Sequence, residues 1–161
     1  MILAVLEGLI LSFVLLLVCV VNIKDGPVGG VHYYEESVKK RVIEMGLITE
    51  GEIKRNRKIS GVVLMAALLI LAPVMALLIN HATGLTDIFA QLTVMYMVCG
   101  VFDRIFIDWY WVGHTKAWLI PGTEDLMPYI HKKTWIKKIV LTIILYPLLA
   151  AIIAGIVTLI M

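Results

Sequence analysis

Four long apolar runs limit what this chain can become more than any other feature. They fall at about 2–21, 59–79, 85–112 and 139–160. A bilayer core about 30 Å thick is crossed by roughly 20 apolar residues in a helix rising 1.5 Å per residue. Each run meets that length. Lipid offers backbone groups no hydrogen-bond partner, so helices are the form such runs take. Composition agrees: 61% of the 161 residues are hydrophobic and 16% charged, against about half and about a quarter in soluble domains. The predicted fold class is all-α: a polytopic membrane protein, a four-transmembrane-helix bundle with short cytoplasmic amphipathic helices. The chain reads as a single integral membrane domain over 1–161, with cytoplasmic segments at about 22–58 and 113–138. The first run reads as an uncleaved anchor, because no Lys or Arg precedes it and no small-residue cleavage pattern follows it.

The cations set the expected orientation. Of 14 Lys and Arg, eight fall between Lys24 and Lys58, and six at Arg104 and between Lys116 and Lys138. The turn from Asn80 to Thr86 has none, and neither terminus has any. Cytoplasmic loops collect Lys and Arg, so both termini are expected outside the cytoplasm. Trp109, Trp111, Trp118 and Trp135 lie on the cationic side, at the depth where amphipathic rings favour the interface. A net charge of +2 supplies no global basic field, so nucleic acid is excluded as a partner. Cys19 and Cys99 sit singly in apolar runs and read as small buried hydrophobes.

The cationic segments carry local signals. Glu35 to Met45 reads as an amphipathic helix with Val38, Val42 and Met45 on one face, closed by Gly46. Thr49 and Glu52 form a capping-box pattern flanked by Ile48 and Ile53. A helix therefore starts at Thr49 and runs into the second span. Pro73 and Pro147 predict kinks in the second and fourth. Between the last two spans, Pro121-Gly122 marks a turn and Thr123 a cap. That loop is too apolar to float free and is expected to fold back under the bundle.

The polar end of the third span is the candidate site. At helical spacing Asp103, Ile107, Tyr110 and His114 share one stripe, and Arg104, Asp108, Trp111 and Thr115 the next. Arg104 and Asp108 are four apart and can pair. The candidate catalytic residues are His114, Asp103 and Asp108, with His114 the natural acid or base because histidine titrates near neutrality. Arg104, Lys116, Glu124, Asp125 and Tyr110 are the candidate ligand-binding residues. Asp103, Asp108, Glu124 and Asp125 offer oxygen ligands for a divalent cation. Arg104, Lys116 and a His offer donors to a phosphate or lipid headgroup. Glu7 and His81 are the candidate intramembrane polar pair, placed at matching depth so that each could satisfy the other.

No signature assigns a named reaction. The expected function is a polar ligand or lipid-headgroup site at the cytoplasmic end of the bundle, with catalysis left open. Two alternatives stand beside it: a non-enzymatic membrane subunit that binds a partner through its cytoplasmic helical hairpin, and an oligomeric small-solute or ion transporter. The expected partners are the lipid bilayer, a lipid or phosphate-bearing ligand, and either further copies of the chain or a partner membrane protein.

Overall fold

The structure, a computed structural model, describes residues 1–160. Among the described residues there is no strand. Four helices are long and apolar enough to cross a membrane: α1 (Ile2–Ile23), α3 (Glu50–Ile79), α4 (Gly84–Val112) and α5 (Lys132–Ile160). A short helix, α2 (Glu36–Glu44), lies between the first two. Three short tightly wound segments complete the chain, at Pro27–Tyr33, Lys116–Trp118 and Glu124–Leu126.

The local signals hold where chemistry fixes them. Thr49 accepts from the Glu52 amide, and Glu52 reaches back to the Thr49 amide at 2.9 Å, so α3 begins with its capping box. Gly46 takes a φ of 69° after α2, a left-handed conformation that side chains resist. Val38 and Val42 of α2 are buried, whereas Met45, expected on the same face, is 42% exposed.

Two features differ from the sequence reading. The last helix starts at Lys132 rather than near 139, so its first two turns are cationic. Those turns are held to the end of α4, where the Trp135 indole N–H donates to the Arg104 carbonyl at 2.7 Å. The second difference lies in backbone pitch. Around Pro73, α3 widens to i→i+5 hydrogen bonding over Ala67–Leu71 and again over Met75–Ile79. In α4 the same widening covers Asp103–Val112. Such wide turns are rare, and each hydrogen-bonded loop of backbone holds one residue more than in an ordinary helix.

α4 is the central helix and packs along both α1 and α5. Glycines allow the close approach. A Cβ on Gly8 of α1 would meet Val98 Cβ at 2.7 Å and the Met95 carbonyl at 2.9 Å. One on Gly100 of α4 would meet Thr142 at 2.5 Å and Tyr146 at 2.8 Å, both on α5. Leu11, Ile88, Leu92, Met95 and Tyr96 fill the core. Outward faces are apolar throughout, with Phe13, Leu78, Ile144 and Leu159 among the exposed residues.

The two ends of the bundle differ. The hairpin end holds the tight turn from α3 to α4 and the start of α1. The loop end holds α2 and all three short segments, folded together. Val31, Trp118, Ile120 and Tyr129 are fully buried there. The Tyr34 hydroxyl donates to the Trp118 carbonyl at 3.1 Å, and the Ile120 amide donates to the Tyr129 hydroxyl at 2.9 Å. The apolar loop after α4 thus covers the bundle end, as its composition predicts.

Candidate functional site

The wide turns of α4 decide which side chains meet. At about 100° per residue, positions five apart stand ~140° apart on an ordinary helix. Asp103 and Asp108 would then point different ways. Widening to i→i+5 brings them onto one face, with Arg104 between them. Arg104 pairs with Asp103 at 2.5 Å and with Asp108. Its Nε donates to Thr142 of α5 at 3.3 Å. Lys138 of α5 donates to both oxygens of Asp108, at 3.1 and 3.2 Å. Two carboxylates and two cations form one continuous network, and its charges balance.

This network is one wall of a cavity of about 270 Å³. All four long helices contribute to it. The other walls are mostly apolar: Leu11, Leu15 and Cys19 from α1, Leu64, Ala67 and Leu68 from α3. Trp118 closes the loop end. It is fully buried, yet its indole N–H has no hydrogen-bond partner. A buried donor left unmade costs about 1–3 kcal/mol.

Of the sequence candidates, Asp103, Arg104 and Asp108 converge on the cavity. The others lie elsewhere. Tyr110 is on an outward face, 51% exposed. His114 is exposed, with Nδ1 2.5 Å from the Trp109 carbonyl and its ring 4.7 Å from that of Trp109. Lys116 is exposed on its own turn. Glu124 accepts from the Gly122 amide at 2.9 Å, and Asp125 pairs with Arg41 of α2 at 3.3 Å. The four carboxylates considered for a divalent cation therefore do not meet, and among the described residues no group of three or more His, Cys, Asp or Glu stands at metal-binding spacing.

Sequence reasoning missed Lys138, Trp135, Thr142 and Tyr146. Their signal was present. Positions 135, 138, 142 and 146 follow the three-and-four spacing of one helix face. All four turn toward the polar end of α4 or the cavity.

At the hairpin end, Glu7 is 2% exposed. Its partner is Asn80, not His81. Asn80 Nδ2 donates to Glu7 at 2.6 Å and to Gln91 at 2.7 Å. Gln91 in turn donates to Asp87 at 3.0 Å. The expected Glu7–His81 contact fails because His81 carries the chain out of α3 at a φ of 52° and is exposed. Its neighbour Asn80 caps the helix facing inward.

Comparisons with protein-family models, curated proteins and solved structures return no match.

Proposed function

We propose that this chain is a multi-pass membrane protein that binds a small amphiphile with a zwitterionic headgroup in the charged cavity. The carrying observation is that cavity: about 270 Å³, apolar on most walls, with Asp103, Arg104, Asp108 and Lys138 joined along one side. Isolated pockets bind through apolar area and orient through a few polar groups. A balanced set of two carboxylates and two cations disfavours a ligand of net charge either way. A headgroup bearing both an ammonium and a phosphate meets its counterpart in each pair. The unpaired Trp118 N–H adds a donor for an ester or phosphate oxygen.

The four apolar helices support the membrane setting. The one-sided cations support a loop end facing the cytoplasm and termini on the opposite side. In that frame Asp103 stands ~28 Å along α4 from Gly84, at the depth of the inner-leaflet headgroups. The apolar face of α2 is consumed inside the chain, since Val38 and Val42 are buried. The face expected to meet a partner is therefore not free, although Ile43, Met45 and Leu47 stay exposed at the end of α2, and this makes the subunit reading the weaker one. The binding reading assigns no reaction, and the acid–base candidate His114 stands outside the cavity.

Titrating the detergent-solubilised full chain with lysophosphatidylethanolamine, lysophosphatidylglycerol and monoacylglycerol of equal tail length tests the proposal. The ethanolamine head is expected to bind tightest. Ala67→Phe should fill the cavity and remove that binding. Trp118→Phe should weaken it as well; the smaller ring also leaves a void beside Gly30 and lowers the melting temperature, so its binding is compared well below that temperature. Equal affinity for the three heads, or full binding by Ala67→Phe, sinks it.

A further inference from the structure

We infer that the loop end carries a second site, for a phosphate group, in a cavity of about 350 Å³ where His32, Lys39, Lys40, Lys54 and Arg57 come together. It lies between the Pro27–Tyr33 turn, α2 and the first turns of α3, and shares no lining residue with the charged cavity.

Charge is the first argument. Four cations line this cavity against two carboxylates, Glu36 and Glu50. Each carboxylate already has a partner: Glu36 pairs with Lys39 at 2.6 Å and Glu50 with Lys54 at 2.7 Å. Among the described residues, Lys40 and Arg57 have no carboxylate within ion-pair distance. Two cations without counter-ions facing one concavity form an anion site in waiting. A phosphate offers several strong acceptor oxygens to such donors.

The second argument is His32, which is independent of the lysines. The residue is 8% exposed, and Nε2 is buried without a partner. Nδ1 lies 3.3 Å from the Gly29 carbonyl. A carbonyl only accepts, so Nδ1 holds the hydrogen and Nε2 is bare in the neutral ring. Burial first, and then Lys39 and Arg57, push the pKa down to about 4, against a lift from the Gly29 carbonyl. An anion in the cavity reverses both effects. It offsets the lysine and arginine charge and accepts from a protonated Nε2. Anion and proton therefore bind together, and anion affinity rises as pH falls toward the free-state value. The carboxylates facing the same cavity are Glu36, whose pKa its bond to Lys39 lowers, and Glu50, paired with Lys54.

The phosphate source is either a lipid headgroup at the membrane surface or a free phosphate in solution. Both are read by following the His32 ring by NMR in the full-length protein. The probes are inorganic phosphate and sulfate added in neutral detergent, and nanodiscs of phosphatidylcholine with or without phosphatidic acid. Sulfate stays dianionic across the titration and separates the ring's proton from the probe's own. The expected result is a His32 midpoint raised by about one pH unit or more, equivalent to a tenfold or greater linkage. A shift with the soluble anions assigns a free phosphate. A shift only with phosphatidic acid assigns a headgroup. The double variant Lys40→Ala with Arg57→Ala, both exposed and free of packing roles, should lose roughly tenfold in affinity while melting as before. An unmoved midpoint with every probe, or full affinity in the double variant, overturns the site. Neither outcome bears on the zwitterion cavity, whose lining residues the double variant leaves untouched.

Discussion

Asp108 takes bonds from Arg104 on its own helix and from Lys138 across the bundle. Deleting its carboxylate leaves two cations facing each other in a largely dry setting. Breaking a buried pair by removing one partner costs about 3–5 kcal/mol. Asp108→Ala is therefore expected to lower the melting temperature sharply in detergent, and Asp108→Asn by less, since the amide oxygen still accepts. Equal melting of Asp108→Ala and the native chain would show that solvent reaches the network. The sequence offered Arg104 and Asp108 as a pair because four-residue spacing is fixed by local geometry. It did not offer Lys138, which meets Asp108 only after two helices pack. His114 was misplaced for a related reason. Its stripe with Asp103 assumes ordinary pitch over 11 residues, and the helix abandons that pitch at Asp103.

Among the elements, the α1–α4 and α4–α5 seams depend on two missing Cβ atoms. Close helix approach in membrane proteins rests on such small residues. Gly8→Ala places its methyl against a backbone carbonyl, which cannot swing aside. Overpacking costs about 1–3 kcal/mol, so Gly8→Ala should melt lower than the native chain. Gly61→Ala, which meets nothing, is the control and should not. The loop end depends on a different kind of contact. The Glu35 carboxylate accepts from the His131 amide at 3.0 Å and lies 2.7 Å from its ring. Partial burial raises its pKa, but bonds from His131 and Thr134 outweigh that, and the net shift is downward. A lowered carboxylate pKa contributes stability above the unfolded value near 4.3 and loses it as pH falls through the folded value. Protection of the 113–131 loop from proteolysis should hold at neutral pH and fail in acid below about pH 4. Glu35→Gln should remove that pH dependence. The helices, the Thr49 cap and the Gly46 stop were legible because each is encoded within a few residues. The pairing of Glu35 with His131, 96 residues apart, was not.

For the molecule as a whole, the arrangement is two unlike ends on one apolar barrel. The hairpin end is short and carries a single chain of neutral and acidic hydrogen bonds. The loop end gathers cations, aromatics and both cavities. Read as a membrane protein, the chain should label at a cysteine placed at Thr83 from outside the cell, and at Asn56 only after permeabilisation. The reverse pattern would invert the orientation and move both sites to the outer face. The wide turns at Asp103–Val112 also mean that residue count and angular phase have come apart inside α4. The segment behaves like an absorbed insertion: it holds about one residue more than a regular helix of its length. Excising one exposed residue there, such as Ile105, would let the backbone relax to ordinary pitch without shortening the barrel. Asp103 and Asp108 would then be four apart and Arg104 three from Asp108, spacings that keep all three on one face at ordinary pitch, so the network is expected to survive the excision. The site, in other words, is written in the angular phase of the helix as much as in the identity of its side chains.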